Sequence, residues 1–220
     1  MAPAIRLSRA VALLGRFPAL AGIDLTVERG EVVHLAGPNG AGKTTALRVC
    51  AGLVRVVEGE AEVLGHDLTT DRRSVRRSVG LLGHGSHLYE DLTVEENVRF
   101  AVRAARADDA ATEPALARLG LDGRLRHVQV DKLSAGQRRR TALAVLEARR
   151  PELWLLDEPH AGLDADGRDL VDALVGEAVG RGATVVFASH DLERAGSLAR
   201  RHVTITGGHT PSGAEVTRAP

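Results

Sequence analysis

Three short runs in this chain are apolar at almost every position: Glu31-Val32-Val33-His34-Leu35-Ala36, Leu153-Trp154-Leu155-Leu156 and Thr184-Val185-Val186-Phe187-Ala188. Runs that do not alternate predict strands buried on both faces. Elsewhere the pattern does alternate, as in Ile23-Asp24-Leu25-Thr26-Val27 within residues 4–30, and again over Glu60 to Leu64. Those stretches predict a small antiparallel sheet with one wet face. Helical spacing follows the first buried run from Lys43 to about Ala51, with Gly52 placed to end the helix at C′. Residues 93–107 read as a second helix, where Thr93 and Glu96 have the spacing of a capping box. Ser134 to Ala148 is a third, with Ala142, Leu143, Val145 and Leu146 forming its apolar stripe. A further helix is expected over roughly 165–180, between the last two buried runs. Strand, helix, strand with unbroken apolar strands implies a parallel sheet with right-handed crossovers.

Residues 108–132, rich in Ala, Arg, Asp and Gly, carry helical patches. With residues 93–107 they form a helical insertion spanning about 84–150. The expected organisation is a single domain over 1–206. From Gly207 the chain is Gly-rich and polar, so residues 207–220 are expected to be a loose tail.

Composition narrows the picture in three places. The 29 basic and 29 acidic residues cancel, so no global field favours nucleic acid or an acidic membrane surface, and no nucleic-acid partner is expected. The single cysteine, Cys50, excludes an internal disulfide, and its apolar helical setting predicts a buried structural thiol. No apolar run approaches the roughly 20 residues that span a bilayer. Met1 to Arg9 lacks the uninterrupted apolar stretch of a secretory signal, so the chain is not expected to cross a membrane by itself.

Chemistry concentrates directly after the first buried run. Gly37-Pro38-Asn39-Gly40-Ala41-Gly42-Lys43-Thr44-Thr45 matches the phosphate-loop pattern G-x-x-x-x-G-K-[ST], in the strand-to-helix context the pattern requires. Glycines let the backbone approach a ligand closely and turn several N–H groups toward one point at the positive end of a helix. Lys43 adds a full charge for the β and γ phosphates, and Thr44 offers a hydroxyl to Mg2+. A polyphosphate carried with Mg2+ is therefore the expected ligand.

Asp157 and Glu158 stand at the C-terminal end of the second buried run, the edge where parallel α/β sheets bind ligands. One reading is a strand-terminating acidic turn stopped by Pro159. The other gives Asp157 to Mg2+ through water and Glu158 to deprotonating an attacking water.

Leu133-Ser134-Ala135-Gly136-Gln137 is the third informative stretch. Ser134 and Gln137 have capping-box spacing, yet Arg138, Arg139 and Arg140 follow in the early turns. Cations there oppose the helix macrodipole. An ordinary capped helix with a solvated basic face and a helix start left open to an anion both satisfy the pattern.

These residues resemble the ATP-binding subunits of ABC transporters. The phosphate loop, LSAGQ at 133–137, LLDEP at 155–159, AGLD at 161–164 and the histidine of Ala188-Ser189-His190-Asp191 occur in that family's order. The resemblance implies an α/β P-loop NTPase of the ABC ATPase type, with ATP as the polyphosphate. Its core sheet would be mostly parallel, with a small N-terminal antiparallel β subdomain and an inserted helical subdomain. It implies a homodimer of ATPase subunits paired head to tail, with Ser134 and Gly136 meeting the γ-phosphate in trans and Asp164 in the facing loop. His190 would contact the γ-phosphate and the attacking water. A membrane-spanning permease subunit is the implied partner, which places the chain peripherally on the cytoplasmic face of the cell membrane.

Two positions depart from the family pattern. His84 stands where the family has a glutamine that reaches Mg2+ and couples to the membrane partner. A neutral imidazole suits a hard ion poorly, which leaves a metal-bound water or a plain loop role. No Tyr occupies the place of the adenine-stacking aromatic; Phe17 is nearest and Leu14 is the other candidate, and Phe17 equally fits simple core. Gly83-His84, LSAGQ with alanine, Leu92 to Phe100 and Trp154 before the acidic pair are similar to the ATP-binding subunit of the haem exporter of cytochrome c maturation. Arg72-Arg73-Ser74-Val75-Arg76-Arg77 reads as a solvated face, with contact to a partner or a lipid headgroup as the alternative.

Overall fold

A computed structural model describes residues 2–211 and 217–218. The alternating N-terminal stretch forms β1 (Ile5–Leu14) and β2 (Phe17–Val27), which pair antiparallel; β1 also pairs antiparallel with β4 (Val56–Val63). The two-residue β5 (His66–Asp67) completes this four-stranded sheet in the order β2-β1-β4-β5.

The buried runs become β3 (Val32–Ala36), β7 (Leu153–Asp157) and β8 (Thr184–Ala188), joined by β6 (Val79–Leu82), β9 (Arg201–Thr204) and β10 (Thr217–Arg218). The order is β10-β9-β3-β8-β7-β6, parallel throughout except for the β10–β9 pair. Every residue of β7 and of β8 is buried, as an unbroken apolar run requires.

Six α-helices surround the sheets among the described residues. α1 (Lys43–Cys50) follows β3 and ends at Ala51, with Gly52 at φ 68°; a Cβ there would lie 2.0 Å from the Arg72 carbonyl oxygen, so glycine alone fits. α2 (Val94–Ala105), α3 (Thr112–Arg118) and α4 (Ala135–Arg149) lie between β6 and β7 as the helical insertion. α5 (Ala165–Gly180) connects β7 to β8, and α6 (Leu192–Leu198) precedes β9. No described helix is long and apolar enough to cross a membrane.

Two apolar clusters result. One gathers both sheets around α1 and contains Ile5, Leu20, Leu35 and Leu47. The other packs α2 to α5 against the opposite face of the large sheet, around Trp154 and Phe187. Cys50 belongs to the first, and full burial pushes its thiol up to about 12, which leaves it protonated and unreactive at neutral pH.

Part of the expected loose tail is held. The Gly208 N–H donates to the Ala41 carbonyl at 2.9 Å, its carbonyl accepts from Ala21 N–H at 2.8 Å, and the Thr210 hydroxyl accepts from Asp24 N–H at 2.8 Å. Residues 212–216, 219 and 220 lie outside the described residues.

Candidate nucleotide-binding site

The loop between β3 and α1 takes its shape from its glycines. Gly37 has φ 137°, and a Cβ on it would stand 2.1 Å from the Ile205 carbonyl oxygen. Gly42 has φ 109°, with the Ala19 carbonyl oxygen 2.7 Å from the position a Cβ would take. The close approach of β9 and β2 thus forbids side chains where the loop turns. Gly42 gives α1 no side-chain cap, which leaves first-turn N–H groups available to an anion. The buried Lys43 ammonium donates to the carbonyls of Gly37 at 2.7 Å and Pro38 at 2.9 Å, so its charge is already held over the loop.

The neighbouring strand supplies the acids. The Thr44 hydroxyl donates to Asp157 Oδ2 at 2.8 Å, bringing two hard oxygens together at the loop mouth. Asp157 is buried at the end of β7; Glu158 has left the strand at φ 49° and donates its N–H to the Ala188 carbonyl at 2.9 Å. That turn aims the two carboxylates apart. Glu158 Oε1 meets His190 Nε2 at 3.3 Å, and Glu158 Oε2 accepts the His190 backbone N–H at 3.3 Å.

Leu14, Ala19, Asn39 to Thr45, His84, Asp157, Glu158 and His190 line one cavity of about 500 Å3. That volume suits a nucleotide-sized ligand. Phe17 is not in its lining; it sits at the start of β2, 79% exposed, while Leu14 across the hairpin lines the cavity. Among the described residues no three His, Cys, Asp or Glu side chains converge on a metal position. A Mg2+ that takes oxygens from Thr44, Asp157 and its nucleotide needs no such cluster.

The 133–137 stretch lies elsewhere. None of its residues lines the phosphate-loop cavity; Ala135 lines an adjoining one of about 450 Å3, shared with His84, Arg139, Asp157 and Glu158. Leu133 is buried, Ser134 and Ala135 are exposed, and the capping box is complete: Gln137 N–H donates to Ser134 Oγ at 3.2 Å and Ser134 N–H to Gln137 Oε1 at 2.9 Å. Asp164 caps α5 by accepting the Gly167 N–H at 2.9 Å, and this bond together with Arg140 at 3.2 Å keeps its carboxyl below the usual range.

Two features had no separate signal in the sequence. His34, in the middle of β3, is buried and stacks on Phe187; its Nε2 meets the Ser189 carbonyl at 3.1 Å and its Nδ1 meets His202 Nδ1 at 3.0 Å. It thus pins the residue that precedes His190. Burial pulls its imidazole below the ordinary histidine range. His160 Nε2 meets Asp172 at 2.7 Å, and Asp172 also takes Arg194 at 2.6 Å, so α5, α6 and the turn after Glu158 are tied together.

A phosphate loop on a parallel sheet, carboxylates at the end of the adjacent strand and an inserted helical lobe define a P-loop ATPase. The ABC transporter family model matches residues 20–161, and the chain belongs to that family as an ATP-binding, ATP-hydrolysing cassette. It is 35% identical to the cytochrome c biogenesis ATP-binding export protein CcmA of Shewanella frigidimarina, over 84% of this chain and 85% of that one. The protein of the same name in Methylococcus capsulatus is 41% identical over 77% of this chain and 82% of its own length. The daunorubicin resistance ATP-binding protein DrrA3 of Streptomyces coeruleorubidus is also 41% identical, over 86% of this chain and 61% of that one. Among solved structures, a dimeric ATP-binding cassette in a post-hydrolysis state with ADP and Pi superposes with a TM-score of 0.87 at 25% identity, covering 98% of this chain and 100% of that one. An ATP-binding subunit of an ABC transporter gives 0.87 at 26% identity, covering 94% and 88%.

Proposed function

We propose that this chain is the ATPase subunit of the exporter that serves cytochrome c biogenesis, with haem as the cargo of its membrane partner. The observation that carries the reading is the shared likeness to export proteins of that name over most of both chains. Gly83-His84 and LSAGQ support it from within the sequence. The drug-resistance relative supports a second reading, an ATPase subunit of a drug exporter.

In this reading the loop N–H groups and Lys43 neutralise the nucleotide's phosphates. Thr44 and Asp157 would hold Mg2+, which supplies further positive charge to the phosphate oxygens when bound. Glu158 takes the proton of the attacking water, and His190, 3.3 Å away, orients Glu158 and the γ-phosphate. His84 acts through water rather than as a direct ligand, because an imidazole nitrogen suits the hard Mg2+ ion less well than oxygen does. Leu14 rather than Phe17 meets the adenine, since it lines the cavity.

Ser134 and Gly136 complete the site of a second copy, with Asp164 facing across the gap. The permease seats in a groove of about 450 Å3 between the sheet and the helical lobe, on the outer side of the His84 junction. Its walls carry Arg73, Arg76, Arg77 and Arg149 beside the edge-on pair Tyr89 and Phe100, whose centroids are 4.9 Å apart. The chain then sits peripherally on the cytoplasmic face of the membrane.

Glu158→Gln tests the mechanism. It should bind ATP, lose turnover by about 100-fold or more, as expected for removal of a general base, and accumulate as a dimer on size exclusion. Hydrolysis at the parental rate would remove Glu158 from the mechanism. Restoration of holo-cytochrome c in cells lacking the exporter's ATPase tests the cargo; restoration of drug efflux alone would favour the second reading.

A further inference from the structure

The three arginines that follow the capping box of α4 find three different partners. Arg138 donates to the carbonyls of Val130 at 3.1 Å and Asp131 at 2.8 Å, bracing the turn before its own helix. Arg140 reaches the Asp164 carboxylate at 3.2 Å. Arg139 turns inward and is buried. Its Nη1 donates to the Gly83 carbonyl at 2.7 Å, its Nη2 to the carbonyls of Asp157 at 2.9 Å and of Glu158, and its Nε reaches the Pro159 carbonyl at 3.4 Å.

This guanidinium has no carboxylate partner among the described ion pairs. Burial lowers its pKa to about 10, which leaves it charged at neutral pH. A buried cation is costly unless its donors are satisfied, and here main-chain oxygens alone satisfy them. Those oxygens belong to the two acidic residues of the site, to the residue after them and to the residue before His84. Glu158, moreover, holds φ 49°, which a non-glycine residue keeps only where its surroundings enforce it. Its N–H is held by the Ala188 carbonyl, and its carbonyl accepts both from Arg139 and from the Ala161 N–H at 3.1 Å.

We infer that Arg139 is a positioning residue for ATP hydrolysis. It sets the turn that presents the Glu158 carboxylate to His190, and it makes that orientation depend on how α4 is seated. The inference rests on Glu158 as the proposed base. Within a head-to-tail dimer, Arg139 joins the helix that serves the partner's nucleotide to the base that serves its own. The planar fork is essential, because it spans carbonyls from two strand ends; a lysine ammonium occupies a single point and cannot.

The test compares Arg139→Lys and Arg139→Met with the parent for kcat, ADP affinity and Tm. Both variants should lose kcat on the order of 100-fold, the scale of an ångström-level misplacement of a reacting group. ADP affinity should stay within about twofold, because the phosphate loop is untouched, an expectation that follows from separating uniform binding from transition-state effects. Adding Arg139→Lys to Glu158→Gln should reduce the residual rate no further, since the group being positioned is already gone. An Arg139→Lys enzyme with parental kcat, or full additivity in the double variant, would overturn the inference. Should the methionine variant fail to fold, the lysine variant decides alone. Inactive Glu158→Gln beside fully active Arg139→Lys would sink the role of Arg139 and spare that of Glu158.

Discussion

α2 and α4 begin with the same device and end up with opposite character. Thr93 accepts the Glu96 N–H at 3.2 Å and returns its own N–H to Glu96 Oε2 at 2.8 Å. Ser134 and Gln137 repeat this at 3.2 and 2.9 Å. The α2 box is anionic, with Glu95 and Glu96 both in the first turn, in keeping with the macrodipole. It is also braced by neighbours: Thr93 bridges to Gln129, the Val94 N–H donates to the Val128 carbonyl, and Arg126 holds the Glu95 carboxyl below its usual range. The α4 box is neutral, has no acid in its first turn and leaves Ser134 exposed. A helix start neutralised by its own acids and braced by its neighbours is built for stability. One that keeps its positive end uncovered and unneutralised is available to an anion brought from outside, which the proposed dimer supplies.

The largest effect that would break this contrast comes from Ser134→Glu. ATP hydrolysis and ATP-dependent dimerisation should fall by at least about 100-fold, as for loss of a transition-state donor set. Tm should change by no more than about 2–4 °C, because the lost Ser134 cap costs about 1 kcal/mol and an acid at a helix start returns about 0.3–1 kcal/mol. Inactivity through a fallen Tm would show that α4 begins like any other helix.

Next in size is a pair of alanine substitutions. Thr93→Ala and Ser134→Ala each remove one cap at about 1 kcal/mol, or roughly 2–4 °C in Tm. Well below Tm, only Ser134→Ala should also reduce kcat, by about tenfold for one lost phosphate contact. Equal loss of activity in both would erase the distinction.

The smallest effect sharpens it. Gln137→Glu gives α4 the chemistry of α2. Thermal melting should show a gain of a few tenths of a kcal/mol, while the ATP concentration at half-maximal rate rises several-fold, equivalent to about 1 kcal/mol.

Much of this arrangement was legible beforehand because periodicity and chemistry agreed. β7, β8 and α4 follow from apolar runs and a helical stripe, and the phosphate loop from a pattern whose flanking strand and helix are independent conditions. Other elements gave no such signal. β9 reads Arg-His-Val-Thr, which is polar for an inner parallel strand. It is stable because β3 and the residue before it supply the partners: Arg201 pairs with Glu31 at 3.0 Å, and His202 meets His34 at 3.0 Å. A partner 168 residues away leaves no local trace. Arg138, Arg139 and Arg140 are the same letter three times, and only the helix's orientation sends one of them inward. Phe17 and Leu14 face each other as cross-strand partners at the end of the β1–β2 hairpin, and only the folded chain brings Leu14, not Phe17, to the cavity wall. The residues of Gly207–Pro211 look unstructured because their partners lie in β2 and the phosphate loop.

The burial of Cys50 has a practical reach. With its thiol raised to about 12 and no surface, the only sulfhydryl in the chain is invisible to maleimides, so the natural protein already serves as a label-free background. A cysteine introduced at Asp164 would then be the sole reactive handle, and spectroscopic probes attached there would report, in real time, the distance between two cassettes as they meet and separate.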